Sequence, residues 1–476
     1  MTEIDFYYLT PFLITAIAPV IIMITIAWVR NFNIIYVFSV AAFLLALLSL
    51  IIIPTTNLSE LHPIPYRISS LIIIDGYTVI ISIITLVAAL IVTGLSRRYL
   101  LYQESEKEEY FVILFVAVLG SLLLIAADNF ITLFLGLETL SISLYVLVSY
   151  RRSRHKSIEA GVKYLVLASV SSAFLLFGMG LIYVQVGSLE FSEIAAAGAG
   201  NSLFFITGFV MMMAGFGFKL ALVPFHMWTP DVYEGSPVPI ASFISTVSKG
   251  SVIAVLLRFF YAINGFTNVN FVFIISVLAI VSMFLGNLLA IRQQNIKRLL
   301  AYSSISNMGY LLITMLVGGA QGLSSAIFYI LSYFITILGA FGVITLLSSN
   351  NFEADNLEDY KGLFWKQPLI AIILTITMLS LAGIPLTSGF MGKFYLAYSG
   401  INSGLWILII CLIVNSVIGL YYYLKVVTTM FSPSGETQLP ASVSFSGSMV
   451  LVMIGSGILW IGLFPQWIIH HIISVL

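Results

Sequence analysis

Long apolar runs of about twenty residues alternate with short polar segments along the whole chain. A helix of about 20 apolar residues spans the hydrocarbon core of a bilayer, so this pattern predicts an all-α polytopic membrane protein. Even the longer connections, such as 185–201 and 348–368, are too short to form a soluble catalytic domain. We predict fourteen spans, at 11–29, 34–53, 71–94, 110–127, 130–149, 159–184, 202–224, 238–261, 271–290, 298–318, 322–347, 369–397, 402–430 and 446–470.

The spacing of these spans contains a repeat. Spans four to eight begin near 110, 130, 159, 202 and 238, and spans nine to thirteen begin about 160–170 residues later. An odd number of spans in each group turns the second copy upside down, as in the inverted repeats of many transporters. We therefore predict a single membrane domain, 1–476. It comprises three N-terminal helices (1–109), a first five-helix repeat (110–261), an inverted second repeat (271–430) and a C-terminal helix (446–476).

Spans seven and twelve occupy corresponding positions in the two repeats, and glycine and proline interrupt both. Span seven contains GFGFKLALVP at 215–224, and span twelve contains GIPLTSGFMGK at 383–393. Each segment therefore places a lysine, Lys219 or Lys393, at a predicted helix break. Interrupted spans in corresponding positions mark ion sites near the midplane of transporters, because unpaired backbone groups there must face protein or water.

We single out five charged residues inside predicted spans: Glu138, Lys163, Lys219, Lys249 and Lys393. A lysine facing lipid at a helix centre costs roughly 2.5–3.5 kcal/mol, so these side chains are expected to face the interior. One acid and four bases cannot all be charged in a dry interior, unless neighbouring subunits supply acids. Burial and nearby cations favour the neutral form of a lysine, so these lysines could load and release protons. The structural alternative is that they are merely paired or snorkelling, most plausibly so for Lys163.

Other polar residues lie near the ends of spans. His226 follows the break in span seven and could relay protons, because imidazole titrates near neutrality; an ordinary hydrogen-bonded loop histidine is the alternative. Asp75 and Asp128 are expected to cap helices or to face the outer surface. The RRSRHK run at 151–156 is expected to be a plain cytoplasmic anchor.

Composition excludes several classes of function. Only 8% of residues are charged, and 20 Lys and Arg balance 20 Asp and Glu, so no basic surface indicates nucleic acid. A lone cysteine, Cys411, cannot hold an iron–sulfur cluster. No dinucleotide fingerprint, P-loop or metal-spaced histidine cluster is present. The first helix has no basic segment before it and is expected not to be cleaved. Most Lys and Arg residues lie in the loops on one side, which places both termini on the outer side.

Three stretches carry a family resemblance: FKLALVPFHMWTPDVYEGSPVPI at 218–240, NIKRLLAYSSISNMGYLL at 295–312 and LAGIPLTSGFMGKFYL at 381–396. They are similar to the antiporter-like (Mrp-type) membrane subunits of the proton-pumping NADH-quinone oxidoreductase, respiratory complex I. The subunit N type fits best: we expect no lateral helix of the L type after span fourteen, and Lys393 stands where the M type has glutamate. Val247 and Ser248 precede Lys249 where the family often has proline, so the resemblance does not predict the helix shape there.

The resemblance implies fourteen spans, two inverted five-helix repeats and two broken helices. It implies that Glu138, Lys219, Lys249 and Lys393 translocate protons, with Lys163 as a further family lysine. Quinone reduction in other subunits would drive this movement, and quinone, flavin and iron–sulfur clusters would be bound there rather than by this chain. It also implies a bacterial inner (plasma) membrane, both termini periplasmic, and M, K and J types as neighbours.

Alternatives remain open at this stage. The chain could be the D-type subunit of a multisubunit Na+/H+ antiporter, or a membrane subunit of a related hydrogenase-type complex. It could also be a scaffold that fills a membrane arm without moving protons. If the chain is a subunit of NADH-quinone oxidoreductase, as the resemblance implies, it is a non-redox subunit of a translocase of the EC 7.1.1 class.

Overall fold

The computed structural model describes residues 3–53, 64–101, 107–198, 202–348, 352–433 and 443–476. Two short strands, β1 (Tyr66–Ile68) and β2 (Ile72–Ile74), form an antiparallel hairpin. The helices are α1 Glu3–Trp28, α2 Phe32–Ile52, α3 Gly76–Leu101, α4 Glu109–Ala126, α5 Phe130–Val148, α6 His155–Val186, α7 Phe191–Ala196, α8 Leu203–Leu220, α9 Trp228–Gly235, α10 Val238–Ala262, α11 Val269–Ile291, α12 Ile296–Val317, α13 Gly319–Leu347, α14 Leu363–Lys366, α15 Pro368–Ala382, α16 Ser388–Asn402, α17 Trp406–Phe431, α18 Phe445–Leu463 and α19 Pro465–Val475.

Thirteen of the described helices are long and apolar enough to cross a membrane. The predicted twelfth span is the remaining one, and it consists of two shorter helices, α15 and α16. The predicted all-α fold with fourteen spans is therefore confirmed when this broken pair is counted as one. The division of the chain into N-terminal, repeat and C-terminal units stays a prediction.

Three predicted spans have wrong boundaries. Span one was expected to begin at residue 11, but α1 begins at Glu3. Span three was expected at 71–94, but residues 72–74 form β2 and α3 runs from Gly76 to Leu101. The Asp75 carboxylate accepts a hydrogen bond from the Thr78 N–H at 2.7 Å and so begins this helix, as its predicted capping role requires. The last span was expected to reach residue 470, but α18 ends at Leu463 and α19 begins at Pro465, where proline suits a first helical position.

The breaks in spans seven and twelve have the backbone features that the glycine and proline pattern predicts. Helix α8 ends where Ala221 adopts a left-handed conformation (φ 61°), and the chain crosses residues 221–227 before α9 begins. Helix α15 ends at Gly383 (φ 83°), a conformation that glycine adopts without strain. Span eight has a third irregularity, because residues Ile244–Ser248 of α10 form a π-helical turn directly before Lys249. Such turns occur frequently at functional sites.

The centre of the bundle consists of α10, α12 and α13. Every residue in the most apolar window of α10 is buried, as are 89% in α12 and α13, against 33% in α1, α2 and α11. Small residues allow close approach elsewhere: a Cβ added to Gly178 of α6 would lie 2.5 Å from the Gly208 carbonyl oxygen of α8. The most protected positions are therefore those that surround Lys249.

Candidate functional site

Lys219 lies in the last turn of α8, and its side chain is buried. Its ammonium donates a hydrogen bond of 2.6 Å to the Ser141 hydroxyl on α5. Two backbone carbonyls at the end of α8 accept hydrogen bonds from other groups. The Trp228 indole donates to the Phe218 carbonyl at 2.9 Å, and the Leu222 N–H donates to the Gly217 carbonyl at 2.7 Å. The break therefore brings Lys219 to α5 without leaving these backbone carbonyls unpaired.

Glu138 lies one helical turn before Ser141 on α5, and its carboxylate accepts a hydrogen bond from the Ser172 hydroxyl on α6. Within the described part of the chain, no salt bridge of 4.0 Å or less joins Glu138 to Lys219. The family resemblance implies that Lys219 is the ion-pair partner of Glu138. In this structure the lysine contacts Ser141, three residues further along α5, and the pairing with Glu138 stays a prediction.

Lys249 follows the π-helical turn of α10 and is 1% exposed. Its ammonium donates a hydrogen bond of 2.7 Å to the Ser304 hydroxyl on α12. The nitrogen lies 5.7 Å from the ring centre of Tyr233 on α9, within the range of a cation–π contact. No carboxylate of the described residues lies within 4.0 Å of this ammonium.

Lys393 lies on α16, half-buried, and reaches back to the end of α15. Its ammonium donates to the carbonyl oxygens of Leu381 and Ala382, at 2.9 and 3.2 Å. These are the last carbonyls of α15, where the helix dipole favours a positive charge. The Tyr310 ring centre lies 5.3 Å away. The break in span twelve therefore supplies the two carbonyl oxygens that accept hydrogen bonds from Lys393.

A chain of polar side chains connects the surroundings of Lys249 and Lys393. Ser303, next to Ser304, shares a hydrogen bond with the Tyr423 hydroxyl and accepts one from Asn307 at 3.3 Å. Tyr329 donates to the Asn307 oxygen at 2.7 Å, and both residues line a cavity of about 10 Å³ beside Lys393. This volume suffices for about one water molecule.

The sequence analysis missed these uncharged partners. Ser303, Ser304 and Asn307 fall in the AYSSISN segment of α12, within one of the stretches that carry the family resemblance. Their spacing of three and four residues places them on one face of the helix, so the sequence itself indicates a polar face on α12. These side chains carry no formal charge, so a pattern of charged residues in apolar spans does not reveal them.

Lys163 does not face the interior, so the expectation that all five charges are buried is wrong for this residue. Its side chain is 45% exposed and forms ion pairs with Glu159 at 2.6 Å and Asp231 at 3.0 Å. Helix α6 begins at His155, so the lysine lies about two turns along it, on the outer face of the bundle. This exposed surface is available to lipid or to a neighbouring chain.

His226 lies in the loop that joins α8 to α9 and is 7% exposed. Burial lowers the pKa of His226. Burial thus favours the neutral form of the imidazole. Its role as a relay stays a prediction.

The basic run at 151–156 is more than a plain anchor, which corrects the sequence prediction. Arg151 and Arg154 each lie 2.8 Å from the Glu353 carboxylate, and Lys156 lies 2.8 Å from Glu234. These contacts tie the loop between α5 and α6 to the loop after α13 and to α9. We call the part of the bundle surface that contains these residues the basic end.

Two further cations have little or no exposed side-chain surface. Lys297 lies in the first turn of α12 with no exposed side-chain surface. Arg258 lies on α10, and its guanidinium binds the Asp75 carboxylate through two hydrogen bonds of 2.7 and 2.9 Å. Asp128, the other acid near a span end, pairs with Arg67 at 3.0 Å.

The three lysines of the site share a chemical feature. Lys219 and Lys249 are held by hydroxyl groups and Lys393 by carbonyls, rather than by carboxylates. A hydroxyl can accept a hydrogen bond from an ammonium or donate one to a neutral amine. The serine-bound lysines therefore keep a partner in either protonation state, which is the property that a proton carrier needs.

Residues 127–419 match the sequence family described as NADH:quinone oxidoreductase/Mrp antiporter, transmembrane. The chain is 41% identical, over 98% of its length and 94% of the relative, to NADH-quinone oxidoreductase subunit N of Methylococcus capsulatus. It is 40% identical, over 96% of its length and 94% of the relative, to the subunit N of Ectopseudomonas mendocina.

Solved structures of related complexes contain the same fold. A chain of respiratory complex I from Thermus thermophilus superposes with a TM-score of 0.82 at 29% identity, covering 96% of this chain and 98% of that one. A chain of the Mrp complex from Dietzia superposes with a TM-score of 0.87 at 18% identity, covering 100% and 97%, which shows the fold alone. From these similarities and its membrane helices, the chain belongs to the NADH:quinone oxidoreductase/Mrp antiporter family, and within it to the multi-pass membrane proteins of the NADH-quinone oxidoreductase subunit N type.

Proposed function

We propose that this chain translocates protons along its buried glutamate and lysine residues as a non-redox subunit of NADH-quinone oxidoreductase, a translocase of the EC 7.1.1 class. Quinone reduction in other subunits drives the movement. The observation that carries the proposal is Lys249, an enclosed lysine at the centre of the bundle whose ammonium is held by a hydroxyl. A charge there is costly, and a purely structural role does not require one.

The geometry supports two linked groups of proton carriers. In the first, Lys219 binds Ser141 and Glu138 binds Ser172, and residues 138 and 141 lie one turn apart on α5, so the two charges lie close enough to attract each other. In the second, Ser303, beside the Ser304 that binds Lys249, is linked through Asn307 to Tyr329, and Asn307, Tyr329 and Lys393 line one cavity; these hydroxyl and amide groups can orient a transferring proton. A change of charge at one lysine alters the electrostatic energy of the next, which couples successive steps.

The electron carriers are proposed to lie elsewhere. We place the quinone, flavin and iron–sulfur clusters in other subunits, and propose no cofactor in this chain. Neighbours of the M, K and J types would meet its exposed apolar helices. The distribution of Lys and Arg supports a bacterial inner membrane location with both termini periplasmic, because positive residues remain on the cytoplasmic side. The basic end would then face the cytoplasm.

A cation/proton antiporter subunit is the second candidate. The fold of the Mrp complex chain favours it, since the superposition covers all of this chain. At 18% identity that likeness shows the fold alone, whereas the subunit N relatives are about 40% identical over nearly the whole length. We therefore favour the redox-driven function.

The test uses Lys249→Ala and Lys393→Ala in the assembled complex in sealed vesicles. Quinone-reductase rate and proton uptake are recorded together, with Lys361→Ala as the matched control because that lysine is half-exposed and pairs only with Glu358 in the described structure. We expect both rates to fall in the two buried variants and to stay unchanged in the control. Unchanged electron flow and pumping in the buried variants, with assembly intact, would show that these lysines are structural.

A further inference from the structure

The loop at 352–360 folds back onto the turn that precedes α12. The Ile296 N–H donates to the Asp355 carbonyl at 2.7 Å, and the Leu357 N–H donates to the Gln294 carbonyl at 2.9 Å. The Tyr360 hydroxyl donates to the Ala354 carbonyl at 2.8 Å. These bonds fix two acids of the loop beside Lys297, at the basic end of the bundle.

Both carboxylate oxygens of the first acid, Glu353, contact cationic side chains. One carboxylate oxygen lies 2.8 Å from both Arg151 and Arg154, and the other accepts from Lys297 at 3.1 Å. Burial alone would raise the pKa of Glu353, but Lys297 and Arg154 outweigh it and lower the pKa to about 2. Glu353 therefore stays ionised near neutrality and serves to bind the loop.

The second acid, Asp355, is different. Its Oδ1 lies 3.7 Å from the Lys297 ammonium, and this buried oxygen has no hydrogen-bond partner in the part of the chain that the structure describes. The side chain is 21% exposed, so the carboxyl group also reaches the surface. The carboxyl group of Asp355 therefore lies at the boundary between the aqueous phase and the interior, and its buried Oδ1 can accept a proton.

The surroundings of Asp355 contain groups that favour each of its two protonation states. Burial raises the pKa of Asp355, the cations Lys297 and Arg154 lower it, and the acids Glu353 and Glu234 raise it again. The net result is a raised pKa. Burial thus favours the neutral acid, while Lys297 stabilises the carboxylate after the proton has left.

Two structural links lead from this carboxyl group toward Lys249. Lys297 and Ser304 lie seven residues apart on α12, which places them on one face at a separation of about 10 Å. Ser304 is the partner of Lys249. Lys297 also donates to the Ser236 carbonyl at 3.1 Å, in the connection between α9 and α10, the helices that carry Tyr233 and Lys249.

We propose that Asp355 is the carboxylate that takes up protons at the basic end and passes them inward to Lys249. The carboxylate accepts a proton from the aqueous phase and becomes the neutral acid. It then gives this proton inward to the amine of Lys249, along the face of α12 on which Lys297 and Ser304 lie about 10 Å apart, and returns to the carboxylate that Lys297 stabilises. This inference rests on the proposed function, because it supplies the proton that Lys249 carries.

The experiment compares Asp355→Asn with Glu358→Gln in the assembled complex in sealed vesicles. Glu358 is the matched control because it lies on the same loop, is 80% exposed and pairs only with Lys361 in the described structure. We expect Asp355→Asn to lower quinone-coupled proton uptake at least about tenfold, a modest share of the roughly 10²-fold that a positioned proton-transfer group contributes. Asp355→Glu should restore most of the rate, and Glu358→Gln should match the wild type.

A spectroscopic readout separates proton uptake from a structural role. Infrared difference spectra over pH should show the carbonyl stretch of a protonated carboxyl group in the wild type and in Glu358→Gln, and should lack it in Asp355→Asn. If Asp355→Asn does not assemble, the same infrared spectra are recorded on Asp355→Glu. A shifted carboxyl band in that variant supports the proposal, and an unshifted band overturns it.

Lys249→Ala, measured in parallel, distinguishes two kinds of failure. If Lys249→Ala loses proton uptake while Asp355→Asn behaves as Glu358→Gln does, the proposed function stands and the role of Asp355 is wrong. If Lys249→Ala keeps full uptake, the proposed function itself fails.

Discussion

Replacing Glu353 by glutamine should strongly destabilise this protein. The Glu353 side chain is 5% exposed and lies within hydrogen-bonding distance of Arg151, Arg154 and Lys297, while the Tyr99 hydroxyl also donates to it. Glutamine keeps the shape of the side chain but removes its charge. Lys297, which has no exposed side-chain surface, then loses its closest counter-charge, and among the described residues Asp355, at 3.7 Å, is the one acid left beside it.

The size of the effect follows from the electrostatics of this site. The pKa of Glu353 is lowered from its ordinary value of 4.5 to about 2. At about 1.4 kcal/mol for each pH unit, this difference corresponds to about 3 kcal/mol in favour of the folded state. Breaking a buried ion pair by removing one partner costs about 3–5 kcal/mol, which agrees. Because the folded-state pKa is the lower one, this contribution is complete above about pH 4.5 and is lost as the pH falls toward 2.

The assay is reversible unfolding of the purified chain in detergent at pH 7, followed by tryptophan fluorescence. We expect Glu353→Gln to lower the free energy of unfolding by about 3 kcal/mol. Glu358→Gln, on the same loop but exposed, should change it by no more than about 1 kcal/mol. Equal unfolding free energies for the two variants would refute the argument that the buried cations depend on Glu353.

Three further substitutions test other parts of the structure. Gly178→Ala places a methyl group 2.5 Å from the Gly208 carbonyl and should cost about 1–3 kcal/mol of unfolding free energy, whereas Gly180→Ala, which faces open space, should leave it unchanged or raise it by up to about 1 kcal/mol. Arg258→Gln leaves the half-buried Asp75 without its cation and should cost about 1–3 kcal/mol in the same assay; an effect no larger than that of Arg67→Gln, whose side chain is 53% exposed, would contradict this. Ser304→Ala removes the oxygen that binds Lys249, a loss of about 1–3 kcal/mol that should lower quinone-coupled proton uptake roughly tenfold. Ser251→Ala, whose hydroxyl bonds only its own helix, should leave proton uptake unchanged.

The sequence alone predicted the features that depend on neighbouring residues. Apolar runs of fixed length predicted the spans, since a bilayer has a fixed thickness. The glycine and proline positions around Lys219 and Lys393 predicted both broken helices, because these residues alter backbone geometry locally. The same reasoning singled out Lys249 as a costly charge in an apolar segment, and the structure buries it.

Only the tertiary structure decided which groups these charges meet. It brought Lys219 against Ser141, turned Lys163 outward, and buried Lys297 beside a loop more than fifty residues away in sequence. None of these outcomes follows from local pattern, because each depends on the rotation of one helix against another. A rotation of 100° moves a side chain to the position of its sequence neighbour, and packing of the whole bundle fixes that angle.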